Sequence, residues 1–203
     1  MNRPRILQPN QNYTFSKYFE LSFSIEDILA ELGCSYNRER LQLPTADISE
    51  EAITPLIFII NRNLKRVKLI SEDARKQAII APILLEVCEI TQTQLNIEYP
   101  ININERLQGR LDYYIGQEKE LLVIEAKQAD LSRGFTQLAV ELIALDQWTQ
   151  SEIPILYGAV TTGEDWRFGS YNRQNQEITE DFKLYRVPEE ITILVNILVG
   201  ILT

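Results

Sequence analysis

The sequence has no histidine and only two cysteines among its 203 residues. Without histidine, a Ser-His-Asp triad, an imidazole general base and a zinc site with histidine ligands are all excluded. Cys34 and Cys88 lie far apart and form no Cys-x-x-Cys pair, which excludes a cysteine-rich zinc site and argues against a disulfide framework. Catalytic sites that need histidine, and zinc sites built from histidine or from a cysteine cluster, are therefore excluded.

Basic charge and long apolar runs are also scarce. The chain has 20 basic residues against 29 acidic ones, a formal net charge of −9. This argues against tight nonspecific binding to nucleic acid but leaves a local basic groove open. The longest apolar run, residues 191–203, is interrupted by Asn196 and Gly200 and is shorter than the ~20 residues that span a bilayer. The N-terminus has no apolar core of signal-peptide length, so we expect a cytoplasmic protein.

The composition is that of an ordinary globular domain. Hydrophobic residues make up 45% and charged residues 24% of the chain, close to globular averages, and neither a repeat nor a low-complexity linker divides it. We therefore predict a single domain over residues 1–203. Within it we distinguish an N-terminal helical extension (1–69), a core (70–172), and a C-terminal strand with an apolar helix (173–203).

The first half of the chain is predicted to be helical. Residues 15–32 favour a helix, although alternating apolar residues leave a strand open. Residues 48–64 also favour a helix, provided that Pro55 falls in the first turn or kinks it. The best helical pattern covers residues 71–90, where apolar residues recur every three or four positions and Pro82 should bend the helix.

The second half predicts a mixed α/β sheet. Three strands are followed by an amphipathic helix and by further strands, before Pro188 opens a C-terminal apolar helix. A helix that links two strands is typical of sheets with helices packed on them. The predicted strands and the helix between them are residues 94–103, 106–116, 121–128, 130–150, 153–163, 165–172 and 176–187.

The third of these strands ends in two opposite charges, Glu125 and Lys127, after a continuous apolar run. Side chains two apart in a strand share a face, so this pair lies at one end of one face. Asp112 comes 13 residues before Glu125 (125 − 112), and a hairpin would bring the two carboxylates together. Because two carboxylates repel, a divalent cation is the usual remedy. Such oxygen ligands suit Mg²⁺, beside which Lys127 can orient the attacking water for phosphodiester hydrolysis.

Polar residues elsewhere offer further ligands or partners. Glu86 interrupts the apolar face of the first-half helix, and it is either a third metal ligand or the partner of an arginine. On the later helix, Gln137 and Glu141 form an i,i+4 pair that is either an accessory part of the site or, as we favour, a solvated helix face. Arg110, two residues before Asp112, can contact phosphate or neutralise Glu86.

These residues resemble the signature of the PD-(D/E)xK nuclease superfamily, which has an Asp at the end of one strand and Glu-x-Lys on the next. Here Gly-Arg-Leu-Asp at 109–112 precedes Leu-Leu-Val-Ile-Glu-Ala-Lys at 121–127. The wider pattern over about 70–150 is similar to the nuclease domains of type I restriction enzyme R subunits. Two positions depart from the pattern: Leu111 replaces the signature proline, and Glu141 stands where some members have a tyrosine.

The resemblance implies a restriction-endonuclease-like αβββαβ core and DNA cleavage that depends on Mg²⁺, for which Mn²⁺ can substitute. It implies metal ligation by Asp112 and Glu125, with Glu86 as the matching helix carboxylate. Lys127 would be the catalytic lysine, and Gln137 matches a helix glutamine found in some members.

Two functions stay open at this point. One is a Mg²⁺-dependent endonuclease that hydrolyses DNA. The other is a non-catalytic binding or assembly module with the same fold, in a restriction or mobile-element system, which the acidic net charge favours. DNA is the expected partner, no membrane is expected, and a partner protein is left open. The C-terminal apolar helix either packs under the domain or, as we expect, forms a homodimer interface.

Overall fold

The structure, a computed structural model, describes residues 5–8, 11–116, 120–125 (backbone only) and 130–203. Over these residues the helices and strands alternate in a pattern typical of α/β proteins. The helices are α1 (Phe15–Glu20), α2 (Ile25–Glu31), α3 (Thr54–Arg66), α4 (Glu72–Arg75), α5 (Ala81–Thr91), α6 (Leu131–Thr149) and α7 (Ile191–Leu202). The strands are β1 (Ser35–Glu39), β2 (Leu95–Asn104), β3 (Leu107–Gly116), β4 (Glu120–Glu125), β5 (Ile155–Thr161), β6 (Asp165–Asn172), β7 (Glu177–Asp181) and β8 (Tyr185–Arg186).

The described strands form one mixed sheet. Its order is β1-β7-β6-β5-β4-β3-β2, and β8 pairs with β6 beside this path. The pairs β4–β5 and β1–β7 are parallel, whereas the other neighbours are antiparallel. A parallel pair needs a long crossover, and α6 provides it between β4 and β5. The expected α/β class and mixed sheet are confirmed.

Helices cover both faces of this sheet. Successive residues of one strand, such as Ala159 and Val160, pack in different apolar clusters because strand side chains alternate between faces. One cluster joins the sheet to α3, α5 and α7. The other joins it to α6 and to the N-terminal segment with α1 and α2. The N-terminal extension therefore packs on the same sheet as the core.

The predicted helix over 71–90 is present, but it is not a continuous α-helix. A π-helical segment, Lys76–Ile80, connects α4 to α5, and the Ala81 N–H donates to the Lys76 carbonyl five residues back. Pro82 has no N–H to donate to the Ala78 carbonyl, as an α-helix would require. The side-chain amide of Asn63 in α3 donates to that carbonyl instead, at 2.8 Å. The helix thus tolerates Pro82 because a neighbouring helix supplies the missing donor.

Other local predictions differ from the structure in part. Residues 15–32 form two short helices rather than one, and Pro55 lies in the first turn of α3. β1 was not predicted, since its sequence carries little apolar pattern and its pairing depends on distant β7. The segment 176–187, predicted as one strand, divides into β7 and β8.

The C-terminal helix α7 is buried against its own chain. Most of its apolar residues pack in the cluster with α3 and α5, whereas Ile193 is exposed. The first alternative, packing under the domain, is therefore present. A homodimer stays a prediction, but α7 offers little surface for it. Among the described helices, none combines the length and hydropathy needed to cross a bilayer.

Asn196 and Gly200, which interrupt the apolar run of α7, contact the irregular segment that contains Thr45 and Ile48. The Asn196 side chain accepts from the Ile48 N–H at 2.7 Å and donates to the Ile48 carbonyl at 3.4 Å. At Gly200, a Cβ would lie 2.6 Å from backbone atoms of Thr45. Asn196 hydrogen-bonds both backbone groups of Ile48, as a neighbouring strand would. Gly200, which has no side chain, lets the backbone of Thr45 approach α7 closely.

We expect Asn196→Leu to lower the free energy of unfolding by about 1–3 kcal/mol, because two backbone groups of Ile48 lose their partner. Urea denaturation measures the change. Ile193→Ala, on the exposed side of the same helix, is the control and should change stability by no more than about 0.5 kcal/mol. Equal losses in the two variants would contradict the role of Asn196.

Candidate functional site

The β3–β4 hairpin expected from the sequence is present. Its pairing ends at Tyr113↔Val123, so Asp112 lies just beyond the last pair on β3. Glu125 is the final residue of β4 and pairs in parallel with Thr161 of β5. The two acidic positions therefore lie where β3 and β4 cease to pair. The Glu125 side chain and all of Lys127 lie outside the described residues.

The β2–β3 ribbon changes face at Asp112. Leu111 packs in the cluster on the α6 side, whereas Tyr113 packs in the cluster on the opposite side. In a regular strand these two residues would share a face. On β2, Tyr99 pairs with Leu111, and Glu98, opposite Asp112, has a left-handed φ of 55°. Such backbone in a non-glycine residue is uncommon and concentrates at functional sites.

A cavity of about 400 Å³ opens at this corner of the ribbon. Its walls come from the start of α1, from the α4–π segment, from β2 and β3, and from α6. The described lining includes carboxylates, cations and an amide in the same space. The lining residues are Thr14, Phe15, Ser16, Glu72, Lys76, Glu98, Gly109, Arg110, Asp112 and Gln137.

Lys76 forms an ion pair with Asp112 in this cavity. Its Nζ lies 3.0 Å from Asp112 Oδ1 and 4.0 Å from Glu98 Oε1. The Lys76 and Asp112 side chains are 24% and 21% exposed, and that of Glu98 is 50% exposed. Because the Asp112 side chain is 21% exposed, its charge is partly desolvated, and the Lys76 ammonium stabilises it. Sequence reasoning missed both Lys76 and Glu98.

The helix carboxylate that lines the cavity is Glu72. Glu86, which we predicted for this role, is not among the lining residues and lies 14 positions farther along (86 − 72). At 1.5 Å per residue this is about 20 Å. Glu86 attracted attention because it interrupts an apolar face, whereas Glu72 resembles an ordinary first-turn residue. Lys76 follows Glu72 by four residues, and that spacing is the signal that was available.

Gln137 and Glu141 are buried, so the solvated-face interpretation we favoured is wrong. They are 6% and 0% exposed, and Gln137 Nε2 donates to Glu141 Oε1 at 2.8 Å. The cause is tertiary: α6 is buried on all sides from Gly134 to Leu145, since α1 and α2 cover the side away from the sheet. Gln137 also lines the Asp112 cavity, which leaves the accessory interpretation standing.

The N-terminal segment forms one wall of the cavity and is fastened to the β2–β3 turn. The Tyr18 hydroxyl donates to the Arg106 carbonyl at 2.8 Å, and the Tyr13 N–H donates to the Glu105 carbonyl at 2.7 Å. Burial raises the pKa of Tyr18, so the hydroxyl keeps the proton it donates. These bonds join the predicted N-terminal extension to the predicted core.

Gly109 allows the same segment to approach. A Cβ at Gly109 would lie 2.8 Å from the Phe15 ring and 3.3 Å from the Phe15 backbone nitrogen. Its φ of 150° is also one that other residues rarely adopt. The glycine of the Gly-Arg-Leu-Asp motif thus serves the cavity wall. Arg110, the next residue, is exposed and lines the cavity.

The predicted metal ligands are only partly described. Among the described residues, no three His, Cys, Asp or Glu side chains come close enough together to hold a metal ion. Asp112 shares its cavity with Glu72 and Glu98. The predicted set of Glu86, Asp112 and Glu125 includes one side chain outside the description, so it stays a prediction.

Compared with known proteins, the sequence matches no family model and no curated protein significantly. The resemblance to the PD-(D/E)xK nucleases therefore depends on the motif residues and on the order of the elements.

Proposed function

We propose that the protein is a metal-dependent nuclease of the restriction-endonuclease-like fold that hydrolyses phosphodiester bonds in DNA. The observation that carries the proposal is the position of Asp112. It lies in a cavity with Glu72 and Gln137, at the end of the β3–β4 pairing, and Glu125 ends the adjacent strand.

The order of the elements supports the same fold. A helix (α4 to α5) precedes three antiparallel strands (β2 to β4), and α6 leads into β5, parallel to β4. This is the αβββαβ order that the resemblance implies. In it, Asp112 lies within β3 where the pairing with β4 stops, and Glu125 ends β4.

The side chains available suit Mg²⁺. Asp112 and Glu125 would hold the ion, and Glu72, rather than Glu86, is the helix carboxylate within the cavity. In proteins Mg²⁺ is usually held by one or two carboxylates and keeps several waters. When bound, Mg²⁺ activates a water molecule and stabilises charge on the phosphate. Lys127 orients the attacking water, and Arg110 at the exposed rim contacts a DNA phosphate.

A non-catalytic module of the same fold is the second candidate. Two observations favour it: the net charge is −9, and Asp112 is already paired with Lys76 at 3.0 Å. A duplex-binding protein ordinarily gathers Lys and Arg for the phosphates. In this candidate the carboxylates serve to anchor Lys76, and a partner protein supplies the basic surface.

A plasmid-nicking assay distinguishes the two candidates. We expect conversion of supercoiled plasmid to open-circular or linear DNA with Mg²⁺ or Mn²⁺, and none with EDTA. Lys127→Ala protein, shown by circular dichroism to be folded, is expected to be inactive. Absence of cleavage of single-stranded and duplex DNA and of RNA, at every cation concentration tried, would reject the nuclease and favour the module.

A further inference from the structure

We propose that Lys76 is a placeholder cation, which occupies Asp112 until a divalent ion takes its place and then transfers to Glu98. This inference rests on the proposed function, because it assumes that Asp112 receives a metal. It assigns a positioning role to two residues that lie outside the nuclease motif.

The first argument is the charge balance of the cavity. Glu72, Glu98 and Asp112 place three carboxylates in about 400 Å³, together with Lys76 and Arg110. Three carboxylates that line one cavity give it a negative potential, and a partly buried carboxylate favours a nearby cation. The ammonium 3.0 Å from Asp112 supplies that positive charge. A divalent cation at Asp112 would do the same with twice the charge, so the two compete for one carboxylate.

The second argument is that Lys76 has a second position within reach. Glu98 Oε1 already lies 4.0 Å from its Nζ. Lysine carries a compact charge on a flexible stem of four carbons, so its ammonium can shift by a few ångströms while the backbone stays still. A bidentate arginine would be held more rigidly at Asp112. Lys76 can therefore leave Asp112 without losing every anionic partner.

The third argument is the backbone on either side of this contact. Glu98 adopts a left-handed φ of 55° within a strand, which turns the ribbon at the point opposite Asp112. Lys76 begins the π-helical segment, and π-helical turns occur mainly at functional sites. Two unusual backbone conformations thus flank one Lys–Asp–Glu contact, and such strain persists only where the surroundings maintain it.

Calorimetric titration of the full-length protein with Mn²⁺ tests the proposal without measuring catalysis. Lys76→Met removes the competing charge, so Mn²⁺ should bind about fivefold more tightly. Glu98→Gln removes the second position of Lys76, so Mn²⁺ should bind about threefold more weakly. In the Lys76→Met background, Glu98→Gln should have no further effect.

A matched control and the double variant exclude simpler explanations. Lys183 pairs with Glu190 at 3.1 Å, with side chains 27% and 29% exposed, outside the cavity. Lys183→Met should leave the affinity for Mn²⁺ unchanged. If Glu98 were itself a ligand, Glu98→Gln would still weaken binding in the double variant, which would overturn the transfer.

The remaining outcomes separate this inference from the proposed function. Equal Mn²⁺ affinity in wild type and Lys76→Met overturns the placeholder role and leaves the nuclease proposal intact. No binding in either protein overturns both. Binding in Lys76→Met alone would show that Lys76 permanently replaces the metal, which overturns the transfer to Glu98 and rejects the active enzyme.

Discussion

Asp112→Asn is expected to abolish Mg²⁺-dependent DNA cleavage, with a loss of at least about 100-fold in rate. The substitution keeps the size of the side chain and removes its charge. The metal then loses the one predicted strand ligand whose side chain is described in the cavity, and Gln137, which lines the same cavity, offers an uncharged oxygen only. Plasmid nicking under single-turnover conditions measures the loss.

The fold should survive this substitution. Asp112 and Lys76 are each more than a fifth exposed, and a pair of this kind contributes about 1 kcal/mol at most. Lys76 also retains Glu98 within 4.0 Å. Asp165→Asn serves as a control, since Asp165 pairs with Arg186 at 3.4 Å outside this cavity. The Asp165→Asn protein should cleave DNA at the wild-type rate. Cleavage by folded Asp112→Asn at the wild-type rate would refute the site.

Phe135→Ala should lower the free energy of unfolding by about 3–5 kcal/mol, more than Asn196→Leu does. The ring is 0% exposed and packs directly on Gly169 of β6, where a Cβ would lie 2.6 Å from it. Removing the ring leaves a cavity between α6 and the sheet. For a chain of this size the melting temperature should fall by about 10 °C, as measured by differential scanning calorimetry.

The same helix provides the control for this prediction. Trp148 in α6 is 43% exposed, so Trp148→Ala should change stability by about 0.5 kcal/mol at most. Gly169→Ala should be less costly in the Phe135→Ala background than alone, because the ring that its Cβ would meet is gone. Additive costs, or a milder effect for Phe135 than for Trp148, would show that this contact does not hold α6.

Much of the secondary structure near the site could be predicted because its signals are local. The helical pattern over 71–90 and the apolar run into Glu125 depend on residue spacing within one element. The hairpin from Asp112 to Glu125 depends on a short connection. All three predictions agree with the observed elements. Where the pattern was weak and the partner distant, as in β1, prediction failed.

The assignment of side chains to the cavity was less predictable. Gln137 and Glu141 have the spacing of a solvated pair, yet they are buried because residues more than 100 positions earlier cover them. Helical spacing places Glu72 and Glu86 on one side of the helical region, and Glu86 was preferred because it interrupts an apolar face. Spacing does not say which turn of a helix reaches the end of the sheet.

The sequence by itself determined the order of helix, strands and helix, and it placed Asp112 and Glu125 on consecutive strands. Those features follow from side-chain periodicity, which each segment carries alone. Only the tertiary structure decided that Glu72 and Lys76 meet Asp112, and that Glu98 turns the ribbon there. The Lys76–Asp112 contact joins residues 36 positions apart. It depends on how the α4–α5 region packs against the β2–β3 ribbon, so no local pattern records it.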